Sequence, residues 1–319
     1  MDRIAVRVRR IHNETDDVRV FELASSDGQP LPAFSPGAHI DVHLGDGLVR
    51  QYSLCNGPAD ADCYIIGVKR EPSSRGGSSA LHDLVQEGDM LQIGAPRNNF
   101  ELRDTAGHYM LVAGGIGITP MLSMARHLLA RGASFELHYF ARSIAQTAFH
   151  KVLSAPAFAG RVDFHYALEA DAVRSKLRKL LWERRANAHL YLCGPRPFMD
   201  TVQDVASATW PPDAVHLEYF SADANALAAP CASFVVRLAR SGGDYVVPAE
   251  QSIVQALAQY GVAVDVSCEQ GVCGTCLTGV LAGEPDHRDS FLTDDERRAC
   301  DKLMPCVSRS RTDVLILDL

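Results

Sequence analysis

The sequence predicts three modules in series: an antiparallel β-barrel, an α/β domain with a parallel sheet, and a small α+β module. Residues 1–104 contain short alternating strands separated by turn signals, which is typical of a barrel. Residues 105–220 repeat a strand–helix–strand pattern, which is typical of a parallel sheet. Small residues without a period at 221–230 predict a linker, and residues 231–319 combine a hairpin, two short helices and a final strand. The length of 319 residues allows two or three domains.

Composition and charge exclude several classes of protein. The net charge is −8, divided as −5 over 1–104, +2 over 105–230 and −5 over 231–319, which argues against binding to nucleic-acid phosphates or an anionic membrane. No stretch reaches the roughly 18 consecutive apolar residues of a membrane span. The first residues mix apolar and charged side chains where a secretory signal would be apolar, so we expect a cytoplasmic protein.

The barrel prediction rests on strand and turn signals. Apolar and polar residues alternate from Ile40, the pair Asp46-Gly47 signals a tight turn, and 48–54 is the predicted return strand. Further strands are predicted at 63–68 and 90–93, and one short helical pattern lies near 79–85.

The middle segment begins with an apolar strand at 109–113 that leads into glycines. A helix is predicted at 121–130, with Pro120 at its first position, where a proline costs no hydrogen bond. Strands at 134–141 and 190–193 continue the pattern of a parallel sheet.

The last segment has a hairpin signal and two helix signals. Strands are predicted at 234–238 and 245–247, and a helix has Ser252 as its N-cap and Gly261 beyond its end. Thr293 and Glu296 form a capping-box pattern, and the final strand is predicted at 314–317.

Nine cysteines, an odd number in a chain expected inside the cell, are better explained as ligands or bystanders than as a disulfide framework. Cys268, Cys273 and Cys276 have the spacing C-x4-C-x2-C, and Cys306 follows 30 positions later. Four thiolates in this order predict a plant-type [2Fe–2S] cluster. A structural zinc site is the alternative, although zinc commonly takes two C-x2-C pairs and this chain has one.

The cysteine segment resembles the plant-type ferredoxin domain, and more closely the domain that ends the members of the phthalate dioxygenase reductase family. The stretches 283–289, 292–296 and 304–310 are also similar to that family. The resemblance implies a β-grasp ferredoxin domain at the C-terminus.

Arg50-Gln51-Tyr52-Ser53 resembles the R-x-Y-S motif of the ferredoxin–NADP reductase superfamily, whose barrel binds a flavin. An arginine can hold a phosphate through two parallel hydrogen bonds, and a Gly-Gly-Ser-Ser turn before a helix offers free amides. The family uses FMN, and no segment for an adenine group is evident in the barrel, so FMN is preferred to FAD. The resemblance assigns flavin contacts to Arg50, Tyr52, Ser53, Val68, Lys69, Gly76, Gly77, Ser78 and Ser79.

The glycine-rich turn after the first strand of the middle segment, 113–121, resembles the superfamily's G-G-x-G-x-T-P pattern. A strand before it and a helix after it are the context of a dinucleotide-binding turn. The segment 191–199 is similar to the superfamily's C-G-P motif, whose cysteine lies beside the nicotinamide. The resemblance assigns the hydride-transfer site to Cys193 and Thr119, and further nucleotide contacts to Gly115, Gly117, Gly194 and Pro195.

Two further residues concern the flavin ring and the choice of nucleotide. By the same resemblance Phe220 is a candidate for stacking on the flavin, and Glu218 for approaching it. Arg142 stands where an NAD site commonly has an acidic residue, so it can receive the 2′-phosphate of NADPH. The family mostly uses NADH, so NADH is preferred.

The whole chain resembles the phthalate dioxygenase reductases in the order flavin barrel, nicotinamide domain, ferredoxin. The implied reaction is hydride transfer from NADH to FMN, followed by single-electron transfer through the cluster to a terminal Rieske-type oxygenase. The partner's substrate, whether an aromatic carboxylate, a methoxylated aromatic or a quaternary amine, stays open. The alternatives are a flavin and iron–sulfur carrier or redox sensor without NAD(P)H turnover, and a zinc-stapled binding protein.

Overall fold

A computed structural model describes residues 3–45, 47–60, 62–72, 76–228 and 232–319. Asp46 of the predicted turn and residues 229 and 230 of the predicted linker lie outside them. By its internal contacts the chain forms two compact units, residues 1–218 and 219–319. The domain boundaries predicted at 104, 220 and 230 stay predictions.

The barrel of the first unit is an antiparallel sheet in the order β4-β3-β6-β1-β2-β5. A bridge between Leu54 and Ile66 joins the two edge strands and closes the sheet. Fully buried Val6, Phe21 and Ile40 belong to its core. The elements are β1 (Arg3–Asn13), β2 (Val18–Ser25), β3 (His39–His43), β4 (Val49–Ser53), β5 (Cys63–Lys69), α1 (Gly77–Asp83) and β6 (Met90–Gly94).

The second sheet of this unit is parallel throughout, in the order β11-β10-β7-β8-β9. Barrel residues Val20 and Cys55 pack in one core with Leu111 and Met121 of this sheet and its first helix. The elements are β7 (His108–Gly114), α2 (Ile118–Ala130), β8 (Phe135–Ala141), α3 (His150–Leu153), β9 (Val162–Tyr166), α4 (Ala170–Trp182), β10 (Ala188–Cys193), α5 (Arg196–Ala206) and β11 (Val215–Glu218).

The start of α2 differs from the prediction. The helix begins at Ile118, directly after a single 3-10 turn at 115–117, so Pro120 occupies its third position and not its first. Proline is still accommodated, because the amides of the first helical turn have no acceptor within the helix. Likewise α1 begins at Gly77, two residues before the predicted helical pattern.

The unit 219–319 contains a mixed five-stranded sheet in the order β13-β12-β18-β14-β16, with β12 and β18 parallel, and a two-stranded sheet of β15 and β17. Both predicted helix signals are present as capping boxes, at Ser252 and at Thr293. The elements are α6 (Ala224–Leu227), β12 (Phe234–Leu238), β13 (Asp244–Val247), α7 (Ile253–Gln259), β14 (Thr278–Ala282), β15 (Pro285–Asp286), α8 (Asp294–Ala299), β16 (Lys302–Leu303), β17 (Arg309–Ser310) and β18 (Val314–Leu317).

No helix among the described residues has the length and apolar character needed to cross a membrane.

Candidate cofactor-binding sites

Arg50 and the Gly-Gly-Ser-Ser turn form one site at the rim of the barrel. The stem of Arg50, on β4, passes so close to Gly77 that a Cβ there would lie 3.1 Å from the Cδ and Nε atoms of Arg50. Gly76 has a φ of 96°, a conformation that residues with a Cβ rarely adopt. Only glycines at this turn therefore bring the guanidinium beside the amides that begin α1, an arrangement suited to a phosphate.

Residues on β5 and β4 surround this turn. His82 of α1 is buried and its Nε2 lies 2.9 Å from the Val68 carbonyl, which ties the helix to β5. Lys69 forms an exposed ion pair with Glu71, and the Ser78 hydroxyl accepts a hydrogen bond from the Glu71 amide at 3.2 Å. Burial raises the pKa of Tyr52, so its phenol stays protonated and can donate a hydrogen bond.

Glycines also bring the two nucleotide motifs together. A Cβ on Gly117 would meet the Cys193 carbonyl and lie 2.6 Å from the Gly194 nitrogen, and one on Gly114 would lie 2.8 Å from the Phe198 ring. The turn after β7 and the end of β10 can therefore meet only because these positions lack side chains. Pro195 occupies the N-cap position of α5.

Thr119 lies between the barrel and the nucleotide turn. It is 2% exposed, and its Oγ1 donates a hydrogen bond to the Ile116 carbonyl at 3.0 Å. Its methyl group lies against Gly67 of β5, where a Cβ would be 3.0 Å away. Thr119 thus fixes the turn against the barrel.

The end of β10 carries Cys193 into a buried cluster with Glu218 and Ser53. Cys193 and Glu218 are register partners on neighbouring strands, and the Glu218 carboxyl accepts a hydrogen bond from Ser53. Burial raises the pKa of Glu218 to about 8, against the opposing effect of Ser53. Burial, and then the nearby Glu218 carboxyl, raise the pKa of the Cys193 thiol. The Oε2 atom of Glu218 is buried without a hydrogen-bond partner among the described residues.

Ser53 belongs to the motif that the sequence analysis assigned to the flavin, and Cys193 belongs to the motif assigned to the nicotinamide. The cluster therefore brings these two motifs together. Burial therefore keeps Cys193 and Glu218 neutral near pH 7. The sequence offered only the Glu-x-Phe segment as a signal for Glu218, and it gave no sign of the bond to Ser53.

Four thiols converge in the unit 219–319, where Cys268, Cys273, Cys276 and Cys306 are each at most 9% exposed. They form two hydrogen-bonded pairs, Cys268 with Cys273 and Cys276 with Cys306. Among the described residues, no three His, Cys, Asp or Glu side chains are placed to hold one metal ion. Two pairs of thiols are the ligand set that a cluster of two irons needs.

The backbone of this loop points towards the sulfurs. The amide of Gln270 donates to the Cys268 sulfur at 3.3 Å, and the amide of Thr275 donates to the Cys273 sulfur at 3.4 Å. Gly271 has a φ of 63°, and a Cβ there would lie 2.5 Å from the side chain of Val307, next to the fourth cysteine. Amides of this kind stabilise the negative charge of a reduced cluster, so the donor set fits the group.

Asp289 holds the segment beside the cluster loop, and sequence reasoning did not single it out. It is 5% exposed, its carboxylate accepts from the amides of Phe291 and Leu292 at 3.1 and 2.8 Å, and the Ser290 amide donates to Gly271. An aspartate bonded to amides two and three positions on is an Asx-turn pattern, which was the available signal.

Two predicted residues lie apart from these clusters. Arg142 is exposed and directly follows the end of β8. Phe220 belongs to the unit 219–319 and is 40% exposed. The roles assigned to both stay predictions.

Three features define the class of the protein. They are a closed barrel with an arginine at a glycine turn, a parallel sheet with two glycine-containing turns, and a loop of paired thiols. Together they are typical of an electron-transfer reductase that joins flavin and pyridine-nucleotide binding to a ferredoxin. The family of "2Fe-2S iron-sulfur cluster binding domain" proteins matches residues 236–311.

Proteins similar over the full length point to the same class. A vanillate O-demethylase oxidoreductase from Pseudomonas putida is 48% identical over 322 residues, covering 99% of each chain. A phthalate dioxygenase reductase from Burkholderia cepacia is 42% identical over 304 residues, covering 95% of this chain and 93% of the relative.

A solved structure of phthalate dioxygenase reductase, described as a modular structure for electron transfer from pyridine nucleotides to [2Fe–2S], is also similar. It has 40% identity and a TM-score of 0.77, and the match covers 99% of this chain and 98% of that one. The chain therefore belongs to the family of phthalate dioxygenase reductases and vanillate O-demethylase oxidoreductases. The predicted family, three-part architecture, cluster and oxidoreductase class are confirmed.

Proposed function

We propose that the protein takes a hydride from NADH onto FMN and delivers electrons singly, through its [2Fe–2S] cluster, to the terminal Rieske-type oxygenase of a two-component system. One NADH supplies two electrons, so each hydride accounts for two successive one-electron reductions of the partner. The observation that carries the proposal is the cluster of Cys193, Ser53 and Glu218, which joins the nicotinamide turn to the flavin strand.

The chain's own residues bind and orient the flavin and the nucleotide, and they exclude water. Arg50 and the turn at Gly77 hold the flavin phosphate, and Tyr52 donates a hydrogen bond to the ring. The nucleotide turn at Gly115 and Gly117 lets the pyrophosphate approach the backbone, while Cys193 and Thr119 fix the nicotinamide. The flavin, when bound, supplies the chemistry of accepting a hydride and releasing electrons one at a time.

The remaining assignments complete the proposed sites. Val68, Lys69, Gly76, Ser78 and Ser79 line the flavin, Gly194 and Pro195 support the nicotinamide, and Phe220 stacks on the flavin. Cys268, Cys273, Cys276 and Cys306 would ligate the cluster. Arg142 contacts the adenosine end of the nucleotide.

The relatives support an oxygenase as the partner. The 48% identity to a vanillate O-demethylase oxidoreductase over almost the whole length supports a partner that acts on a methoxylated aromatic acid. The 42% identity to a phthalate dioxygenase reductase supports an aromatic dicarboxylic acid less strongly. The cytoplasmic location stays a prediction.

The visible spectrum of the purified protein tests the proposal. Before NADH it should combine flavin and [2Fe–2S] absorption, and acid extraction should release FMN in about equal amount to the cluster. Anaerobic NADH should bleach both components. A spectrum that NADH leaves unchanged would favour the carrier without turnover, and zinc in place of iron would remove the electron path.

A further inference from the structure

The barrel and the parallel sheet of the unit 1–218 are joined by a carboxylate that the proposed sites do not use. Glu14 lies in the turn between β1 and β2, and its Oε2 atom accepts a hydrogen bond from the Phe149 amide at 2.8 Å. Phe149 lies between β8 and β9 and directly precedes α3. An amide at the start of a helix has no acceptor within that helix, so Glu14 supplies the acceptor from the barrel.

The turn that carries Glu14 is braced by its own hydrogen bonds. The amides of Glu14 and Thr15 both donate to the Val18 carbonyl, at 2.9 and 3.3 Å. The Thr15 hydroxyl donates to the Asp17 carboxylate at 2.7 Å. The second carboxylate oxygen of Glu14 lies 3.3 Å from Nε2 of His12. The Glu14 carboxylate is therefore fixed relative to the barrel.

Phe149 has a backbone conformation that needs support from its surroundings. Its φ is 59°, in the left-handed region that residues with a Cβ rarely adopt. Such strain persists only where the neighbouring structure holds the residue in place. The bond from its amide to Glu14 is charge-assisted, and hydrogen bonds of that kind are the stronger ones.

The ring of Phe149 packs where the barrel meets the nucleotide turn. Phe149 is 3% exposed, and a Cβ on Gly67 of β5 would lie 3.2 Å from its ring. The same Cβ would lie 3.0 Å from the methyl group of Thr119. Phe149 and Thr119 therefore pack side by side against Gly67, and both determine how β5 lies relative to the nucleotide turn.

Two further bonds between the barrel and the parallel sheet come from α2. The Ser123 hydroxyl donates to the Asn56 carbonyl at 2.8 Å, and the Arg126 guanidinium donates to the Cys55 carbonyl at 3.1 Å. Their acceptors follow β4, whereas Glu14 lies between β1 and β2. Bonds to one segment leave two bodies free to tilt about it, and a bond from a second segment removes that freedom.

We propose that Glu14 is a positioning residue for hydride transfer, because its bond to the Phe149 amide keeps β5 and the nucleotide turn at a fixed spacing. The inference rests on the proposed function, in which Val68 of β5 lines the flavin and Thr119 fixes the nicotinamide. Hydride transfer needs the reacting atoms about 3–3.5 Å apart, and a displacement of about 1 Å can lower the rate about a hundredfold. Glu14 acts on this spacing through Phe149.

Stopped-flow reduction of the flavin by NADH tests the inference in the full-length, FMN-saturated protein. Glu14→Ala should lower the limiting rate of flavin reduction about tenfold, because β5 and the nucleotide turn can then shift by a fraction of an ångström. The Kd for NADH should change less than about twofold, because the nucleotide contacts themselves remain. Glu14→Gln keeps a side-chain oxygen that accepts the Phe149 amide, so it should retain the rate of the unaltered protein.

Glu22→Ala is the matched control. Glu22 lies on β2, its side chain is 18% exposed like that of Glu14, and its ion pair with Arg9 lies within the barrel. The control should keep the limiting rate and the Kd of the unaltered protein. An equal loss of rate in Glu14→Ala and Glu22→Ala, or a Glu14→Gln variant as slow as Glu14→Ala, would overturn the inference.

Hydrogen exchange gives a readout of the bond itself. The segment 147–153 should exchange faster in Glu14→Ala than in the unaltered protein, and it should stay protected in Glu14→Gln. Unchanged exchange in Glu14→Ala, or an unchanged limiting rate, would overturn the inference while the proposed function stands. Failure of NADH to reduce the flavin of the unaltered protein would overturn the proposed function itself, together with the role of Glu14 in it.

Discussion

Glu218→Gln should make the first unit more stable at pH 8 relative to the unaltered protein. Burial raises the pKa of Glu218 from 4.5 to about 8, so between these values the folded chain retains a proton that the unfolded chain releases. Stability therefore falls as pH rises through this window. Glutamine is neutral and has nearly the same shape as glutamate. The substitution therefore removes the contribution of this residue to the pH dependence of stability.

The magnitude follows from the shift. A difference of about 3.5 pKa units at 1.36 kcal/mol each is about 5 kcal/mol between pH 4.5 and 8, as an upper bound, with a slope of about 1.4 kcal/mol per pH unit. The free energy of unfolding of Glu218→Gln minus that of the unaltered protein should increase along this slope.

Urea unfolding followed by tryptophan fluorescence measures this difference in the full-length, FMN-saturated protein. The chain has two tryptophans, Trp182 and Trp210, and both lie in the unit 1–218, so the signal reports that unit alone. The exposed Glu101→Gln is a matched control and should keep the pH dependence of the unaltered protein. If Glu218→Gln and the unaltered protein keep a constant difference from pH 5 to 8, the carboxyl is not held protonated and the reasoning fails.

Four substitutions and one change of salt concentration test the proposed sites and the docking of the partner. Arg50→Ala should release FMN, and Gly77→Ala should do the same because its Cβ would displace the Arg50 stem; purification of either variant with a full complement of FMN would contradict this. Cys273→Ser should abolish the cluster and cytochrome c reduction while NADH still bleaches the flavin, which a stopped-flow spectrum checks; loss of flavin bleaching with FMN still bound would show that the modules depend on each other. Arg142→Ala should lower kcat/KM for NADPH more than for NADH, and equal losses would remove Arg142 from the phosphate pocket. Electron transfer to the oxygenase should slow as salt shortens the Debye length below about 8 Å, because the 231–319 segment carries a charge of −5; a salt-insensitive rate would indicate apolar docking.

The sequence predicted those parts of the sites that are local along the chain. Cys268, Cys273 and Cys276 lie on one loop together with the glycines between them. Their spacing along the sequence is therefore enough to predict that the three thiols lie close together. The capping boxes at Ser252 and Thr293 are local in the same sense, because an N-cap and its partner are three residues apart.

The bond between Ser53 and Glu218 could not be predicted in this way. Ser53 ends a barrel strand and Glu218 ends the edge strand of the parallel sheet, so their contact depends on how two sheets pack. The pairing of Cys276 with Cys306 depends likewise on the return of the chain through Asp289. Pro120 shows a smaller limit, since proline is compatible with any position of the first helical turn and does not fix where the helix begins.

Contacts at three glycines explain how these distant parts meet. A Cβ at Gly77, Gly117 or Gly67 would press on Arg50, on the Cys193 backbone or on Thr119, respectively, each a proposed cofactor or nucleotide contact. At Gly45 and Gly132, by contrast, a Cβ would meet no atom within 4 Å. The three glycines with such contacts allow elements to approach closely, whereas Gly45 and Gly132 allow turns with a positive φ. The glycines at close approach thus determine the assembly of the sites. The apolar pattern of the strands, which alternates in the barrel and is continuous in β7, determines the sheets that carry them.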